Sequence, residues 1–295
     1  SIDANDEAER YDKVSGLGDV GISCIGWDAG SEQVVIAYKN SNLDILKHGT
    51  VKHISDISRS SISGNKTIFS IYCKGGFAYL CSGLGIIVAN LSRYEIKDTW
   101  FIGSNGSQVK VNGLCSDAAF FYAATDAGLK RAAASGADLS DFSNWITISG
   151  TNGLPPGTLA NVITAGDKII AQKNDSLFIL NGNTWNLFYT DPAWPIVSVT
   201  ASENKILICQ QTNTGNARVI QLAASGSIEK TFSQAGIISS PLSAITDNGK
   251  VWIADRLNGL SRFSTAGAER FIPNGPRGIA TGEMISDGQH LYAAA

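Results

Sequence analysis

One short word recurs along the chain at intervals of roughly 43 residues, the length that a four-stranded propeller blade consumes. It consists of turn residues followed by a hydrophobic strand. Its copies are Val35-Ile36-Ala37, Ala78-Tyr79-Leu80, Tyr122-Ala123-Ala124, Lys168-Ile169-Ile170, Ile206-Leu207-Ile208, Val251-Trp252-Ile253 and Leu291-Tyr292-Ala293. Seven copies predict an all-β, seven-bladed β-propeller of four-stranded antiparallel blades. Such a fold is a scaffold, so function has to be read from sites rather than from architecture.

The short apolar runs between Gly, Asn and Ser place the blades. Blade one runs through Gly21–Ile25, Val34–Tyr38, Leu43–Lys47 and Val51–Ile54, with a turn at His48-Gly49. Blade two spans Ile68–Ile102, blade three Val109–Ile148, blade four Leu159–Tyr189, blade five Ile196–Phe232 and blade six Leu242–Ile272. The seventh copy, Met284–Ala295, supplies only two strands around Asp287-Gly288. Ser1-Ile2-Asp3 and Glu7–Val14 have no blade of their own. They are expected to add the missing strands, so that the last blade is closed by both chain ends and leaves no open sheet edge. The segment Ala132–Phe142 reads as an insertion in blade three with one helical turn.

Charge narrows the partners. Charged residues make up 17% of the 295-residue chain and the net charge is −3. Nucleic-acid binding needs a basic face, and the sequence has no Lys/Arg cluster. No apolar run approaches the length of a membrane-spanning helix. The five cysteines form no Cys-x-x-Cys pair and lie in or beside apolar runs, so they read as buried free thiols.

Chemistry is sparse. Three histidines, His48, His53 and His290, lie at predicted turns or strand starts. The motifs Gly-x-Ser-x-Gly and His-Glu-x-x-His are absent, and so is a phosphate loop. The acidic group Asp3, Asp6, Glu7 and Glu9 lacks calcium-loop spacing and reads as a solvated edge. No catalytic, cofactor or metal site is expected, and the chain is read as non-enzymatic.

Aromatics and loops supply the binding candidates. Trp100, Trp145 and Trp185 fall on the fourth strands of their blades, where blades pack on neighbours. Trp194 differs, because prolines on either side hold Asp191-Pro192-Ala193-Trp194-Pro195 off any strand. Loops carry function on rigid scaffolds. The candidates are the Ser58–Lys66 loop, basic through Arg59 and Lys66, the Gly103–Gln108 loop with Asn105, Gly153–Gly157 and Asp191–Pro195. The binding residues expected from these loops are Trp194, Arg59, Lys66 and Asn105.

Two resemblances sharpen this reading. Asp247-Asn248-Gly249-Lys250-Val251-Trp252-Ile253, followed by Gly259-Leu260-Ser261-Arg262-Phe263, resembles the two-component-regulator propeller repeat. Related words are Thr125-Asp126-Ala127-Gly128-Leu129-Lys130-Arg131 and Ser82-Gly83-Leu84-Gly85-Ile86. More narrowly, Tyr11–Ser23, Ile36–Leu46, Ile54–Ile57, Phe101–Ser107 and Asp141–Trp145 resemble the N-terminal propeller of the PorZ family of the Bacteroidetes type IX secretion system.

The PorZ resemblance implies that residues 1–295 are a single propeller domain, part of a longer protein with a second propeller and a secretion-directing domain. It implies a surface attachment complex with a sortase-like protease and outer-membrane barrel proteins as partners, anionic lipopolysaccharide as a further ligand, and an exported location. The broader repeat leaves open a ligand-sensing periplasmic propeller of a hybrid histidine kinase. A polysaccharide-acting enzyme is the third reading.

Overall fold

In a computed structural model, which describes Ile2 and residues 9–271 and 282–294, every copy of the repeated word lies on the second strand of a hairpin. The reason is burial on both faces. Gln33–Tyr38 is buried at every position, and Lys250–Asp255 at all but its first. Outer strands such as Ile228–Phe232 stay exposed and read as mostly polar. Small and β-branched residues suit a second strand because neighbouring strands flank it on either side.

Six sheets have four strands each, paired in chain order. They cover residues 22–54, 68–100, 111–147, 161–190, 196–232 and 241–271. The expectation of seven blades is therefore corrected to six. Among the described residues, the seventh copy of the word forms a two-stranded sheet, Met284–Ser286 with Leu291–Ala293, joined by one bridge, Ile2 with Leu291.

The expected strand Glu7–Val14 is not formed within its described part, residues 9–14. Asp12 explains this. Its carboxylate accepts from the backbone N–H groups of Val14 and Ser15, and its carbonyl accepts from Leu17 N–H. Such a local turn competes directly with a sheet ladder. Asp3, Asp6, Glu7 and Ile272 lie outside the described residues, and Glu9 is exposed. The blade-three insertion carries its single turn of helix at its end, Phe142–Asn144, with the Asp141 side chain accepting from Ser143 N–H.

The chain forms two compact units. One comprises Tyr11–Thr164 and Leu180–Asn186, the other Ser1–Arg10, Ala165–Ile179 and Leu187–Ala295. In the first, blades one and two share a core of Val35, Leu43, Ile45, Leu80 and Ile87. Blades two and three share another, in which Trp100 and Trp145 lie 6.3 Å apart with Phe121 beside them. In the second unit, Leu207, Val219, Ala244 and Ile253 join blades five and six. Trp252, Leu260, Met284, Leu291 and Ile2 join blade six to the final strand pair. Trp100, Trp145 and Trp185 are all buried, as outer-strand packing requires. Of the five cysteines, all free, four are buried and Cys73 is half-buried.

Candidate binding surface

Trp194 is half-buried, and its loop is tied down from three sides. Asp191 turns the chain, with its carbonyl accepting from Trp194 N–H at 3.0 Å and its carboxylate from Ala193 N–H at 3.1 Å. Gln210, fully buried on the second strand of blade five, donates to the Trp194 carbonyl at 2.6 Å. Arg218 stands opposite Gln210 on the next strand. Its guanidinium stacks on the Trp194 ring at 4.1 Å and pairs with Asp191 at 2.6 Å. It also donates to Gln210 at 2.8 Å.

Tyr189 completes the group by donating to Gln210 at 3.3 Å. Burial pushes its phenol above the ordinary range, so it remains a neutral donor. Asp191, Gln210, Arg218 and Tyr189 are bonded to one another around the loop, and the indole is held in place with the Arg218 guanidinium stacked on it.

Arg59, Lys66 and Asn105 lie in the other unit. Arg59 is exposed at the end of the single helical turn Asp56–Arg59. Lys66 is half-buried, and its ammonium donates to the Ser60 carbonyl at 2.6 Å, which closes its own loop. Asn105 is exposed at the centre of a tight turn with φ of 54°. The two loops meet where Gln108 donates to the Ser63 carbonyl at 2.7 Å. Ser58 donates to Asn42, and Asn42 to Asp19, so the Asn40-Ser41-Asn42 turn joins the same surface. The Asp19 carboxyl is held below its usual range by the Val20 N–H and by Asn40 and Asn42. The structure thus brings the Ser58–Lys66 and Gly103–Gln108 loops together, with Trp194 in a separate group.

Asp44 and His53 form a pair that sequence reading passed over. The buried Asp44 carboxylate accepts from Gly18 N–H at 2.7 Å and Tyr38 Oη at 2.6 Å, and pairs with His53 Nδ1 at 2.6 Å. Burial first, then Asp44, pushes the Tyr38 phenol far up. With three donors on one carboxylate the arrangement is a clasp that pins residues 17–18 to blade one. Among the described residues, no group of three or more His, Cys, Asp or Glu could hold a metal. No helix among them is long and apolar enough to cross a membrane.

Residues 1–146 match the family described as the type IX secretion system PorZ N-terminal β-propeller domain. That stretch is similar to the PorZ N-terminal propeller family. The resemblance read from the sequence is borne out.

Among solved structures, PorZ of Porphyromonas gingivalis, an essential bacterial surface component of its type IX secretion system, matches with TM-score 0.54 and 15% identity. The match covers 96% of this chain and 51% of that one. The extracellular domains of two hybrid two-component systems of B. thetaiotaomicron match with TM-scores of 0.69 and 0.71, each at 14% identity. They cover 97% and 94% of this chain, and 40% and 37% of theirs. These likenesses establish the propeller fold. The chain spans about half the length of the PorZ structure and less than that of the two sensor domains. No curated protein matches the sequence.

Proposed function

We propose that this chain is the first, non-enzymatic propeller of a longer PorZ-like component of a type IX secretion attachment complex, exported to the periplasm or outer-membrane surface. The observation that carries this reading is the family match over residues 1–146. Its partners are a sortase-like protease and outer-membrane barrel proteins, with lipopolysaccharide glycan as a further ligand. Trp194, Arg59, Lys66 and Asn105 are the proposed contacts. The fixed indole and the joined loops supply stacking and cationic groups on rigid supports.

Affinity capture from a detergent-solubilised outer-membrane fraction tests this. Co-purification of sortase and barrel proteins is expected, reduced by Trp194→Ala or by Arg59→Ala. Recovery of neither partner with the folded chain overturns the reading.

A second reading is a ligand-sensing propeller of a hybrid histidine kinase. It is favoured by the higher TM-scores to the two-component extracellular domains, 0.69 and 0.71 against 0.54. The downstream coding sequence separates the two. A membrane helix followed by a kinase supports the sensor, and a secretion-directing domain supports the attachment complex.

A further inference from the structure

Blades three and six start their third strands on the same Gly-Leu-x-Arg pattern, Gly128-Leu129-Lys130-Arg131 and Gly259-Leu260-Ser261-Arg262. In blade six the arginine is satisfied across the sheet. Arg262 is in register with Glu269 on the fourth strand, and the two form an ion pair at 2.6 Å. The guanidinium also packs 5.1 Å from the Trp252 ring and 5.0 Å from Phe271. One carboxylate and two aromatic rings complete the site.

Blade three keeps the arginine and changes its partner. Arg131 is in register with Ile146, which offers no acceptor. Its guanidinium stacks 4.3 Å from the Phe120 ring. Its Nε is buried and has no hydrogen-bond partner among the described residues. An unpaired buried donor on a charged group is costly, and native structures seldom keep one without a use.

The orphaned arginine lines a cavity of about 250 Å³. Thr151, Asn152 and Asn183 line it too, with Trp185 and Ile148 as apolar wall. At roughly 30 Å³ per water, the space equals about eight waters, enough for one small molecule and below the usual drug-sized range. A guanidinium fork matches a carboxylate in two parallel hydrogen bonds. The single positive charge balances a single negative one. The amide and hydroxyl groups at the cavity suit polar substituents of the same ligand.

The geometry points to a binding site for a small carboxylate in blade three, in which the ligand's carboxylate pairs with Arg131 as Glu269 pairs with Arg262 in blade six. This inference is independent of the secretion reading, because it rests on the repeat and the cavity alone.

Calorimetric titration of the 295-residue chain at low salt tests it, with sodium benzoate and sodium glucuronate as probes. Glucose serves as the neutral control and sodium sulfate, at matched ionic strength, as the non-carboxylate anion. Saturable binding of at least one carboxylate is expected, with no binding of glucose and weaker binding of sulfate. Arg131→Met should weaken it about tenfold to a hundredfold, the range expected for a charged hydrogen bond.

Ile146→Glu gives a second arm that does not depend on a core change, because Ile146 is exposed. It restores the blade-six carboxylate in register and should weaken ligand binding to a similar degree. No saturable binding of either carboxylate overturns the inference, as does binding unchanged in both variants. Sulfate bound as tightly as the carboxylates overturns the carboxylate assignment.

Discussion

Arg218 stacks on Trp194, its guanidinium carbon 4.1 Å from the ring centroid. The same side chain pairs with Asp191 and donates to Gln210, so one cation fixes both the loop and the strand behind it. Arg218→Met keeps much of the stem packing but leaves the Gln210 acceptor with Tyr189 and the Asp191 carboxylate with the Ala193 N–H, each without its cationic donor. The variant is expected to lose about 1–3 kcal/mol of stability, read as a lower urea midpoint at unchanged slope. The fluorescence of the Trp194 region should change at the same time. An unchanged midpoint would show that the cation does not hold the loop.

The buried thiols make the protein alkali-sensitive. Burial pushes Cys81, Cys115 and Cys209 up from 9.0 to about 12, and Cys73 further. The folded state therefore prefers the neutral thiol. Below pH 9 the thiols are protonated in both folded and unfolded chains, and this contribution to stability is fully present. Above pH 9 the unfolded chain loses protons first, so stability falls as pH rises toward 12. Each thiol contributes a slope of at most about 1.4 kcal/mol per pH unit. Denaturation curves from pH 8 to 11 should show the midpoint falling above pH 9. At pH 8 the buried thiols of Cys81, Cys115 and Cys209 should react with a disulfide reagent only after urea is added.

What was legible in the sequence follows from which contacts are local. The second strand of most hairpins is largely buried on both faces, as in Gln33–Tyr38 and Lys250–Asp255, so its word is readable along the chain. Counting words counts hairpins, however, and the hairpin of Met284–Ser286 with Leu291–Ala293 carries the word without forming a four-stranded blade among the described residues. The count therefore gave seven where six are complete. Glu7–Val14 is expected as a strand because it has no blade of its own, but the Asp12 carboxylate captures the backbone N–H groups of Val14 and Ser15, a choice that composition does not reveal.

Trp194 was visible because prolines mark its loop. Its partners Tyr189, Gln210 and Arg218 come from three strands, and no spacing rule joins them. Arg131 sat in a recognised word, yet its lack of a partner depends on Ile146, fifteen positions on and across a strand pair.

Gly153 is expected to tolerate no side chain. Its φ is +91°, and a Cβ there would fall on the backbone carbonyl oxygen of Trp185, which cannot move aside as a side chain can. Gly182, also at positive φ, has open space around it. Gly182→Ala should cost only the conformational penalty, about 1–2 kcal/mol. Gly153→Ala should cost more, and should lower the melting temperature further than its neighbour does. Equal melting temperatures would mean that the Trp185 strand shifts freely, and the carboxylate cavity beside it would then be loosely defined.

Ile2 ties the final strand pair to the start of the chain. Its N–H donates to the Leu291 carbonyl and its carbonyl accepts from Leu291 N–H, both at 2.7 Å. Its side chain is 7% exposed and packs in the cluster of Trp252, Leu260, Met284 and Leu291. Ile2→Ala removes that packing and should cost about 2–4 kcal/mol, whereas Ile2→Val should cost about 1 kcal/mol. Ile2→Pro keeps an apolar residue but deletes the donor, so only the hydrogen-bonded half of the link is tested. In that variant the Leu291 amide, whose own acceptor is the Ile2 carbonyl, should exchange with solvent faster while the amides of blade two keep their protection. If Ile2→Ala instead leaves the midpoint unchanged, the Ile2 side chain contributes nothing to the cluster, and if Ile2→Pro leaves Leu291 exchange unchanged, the bridge does not hold the strand pair.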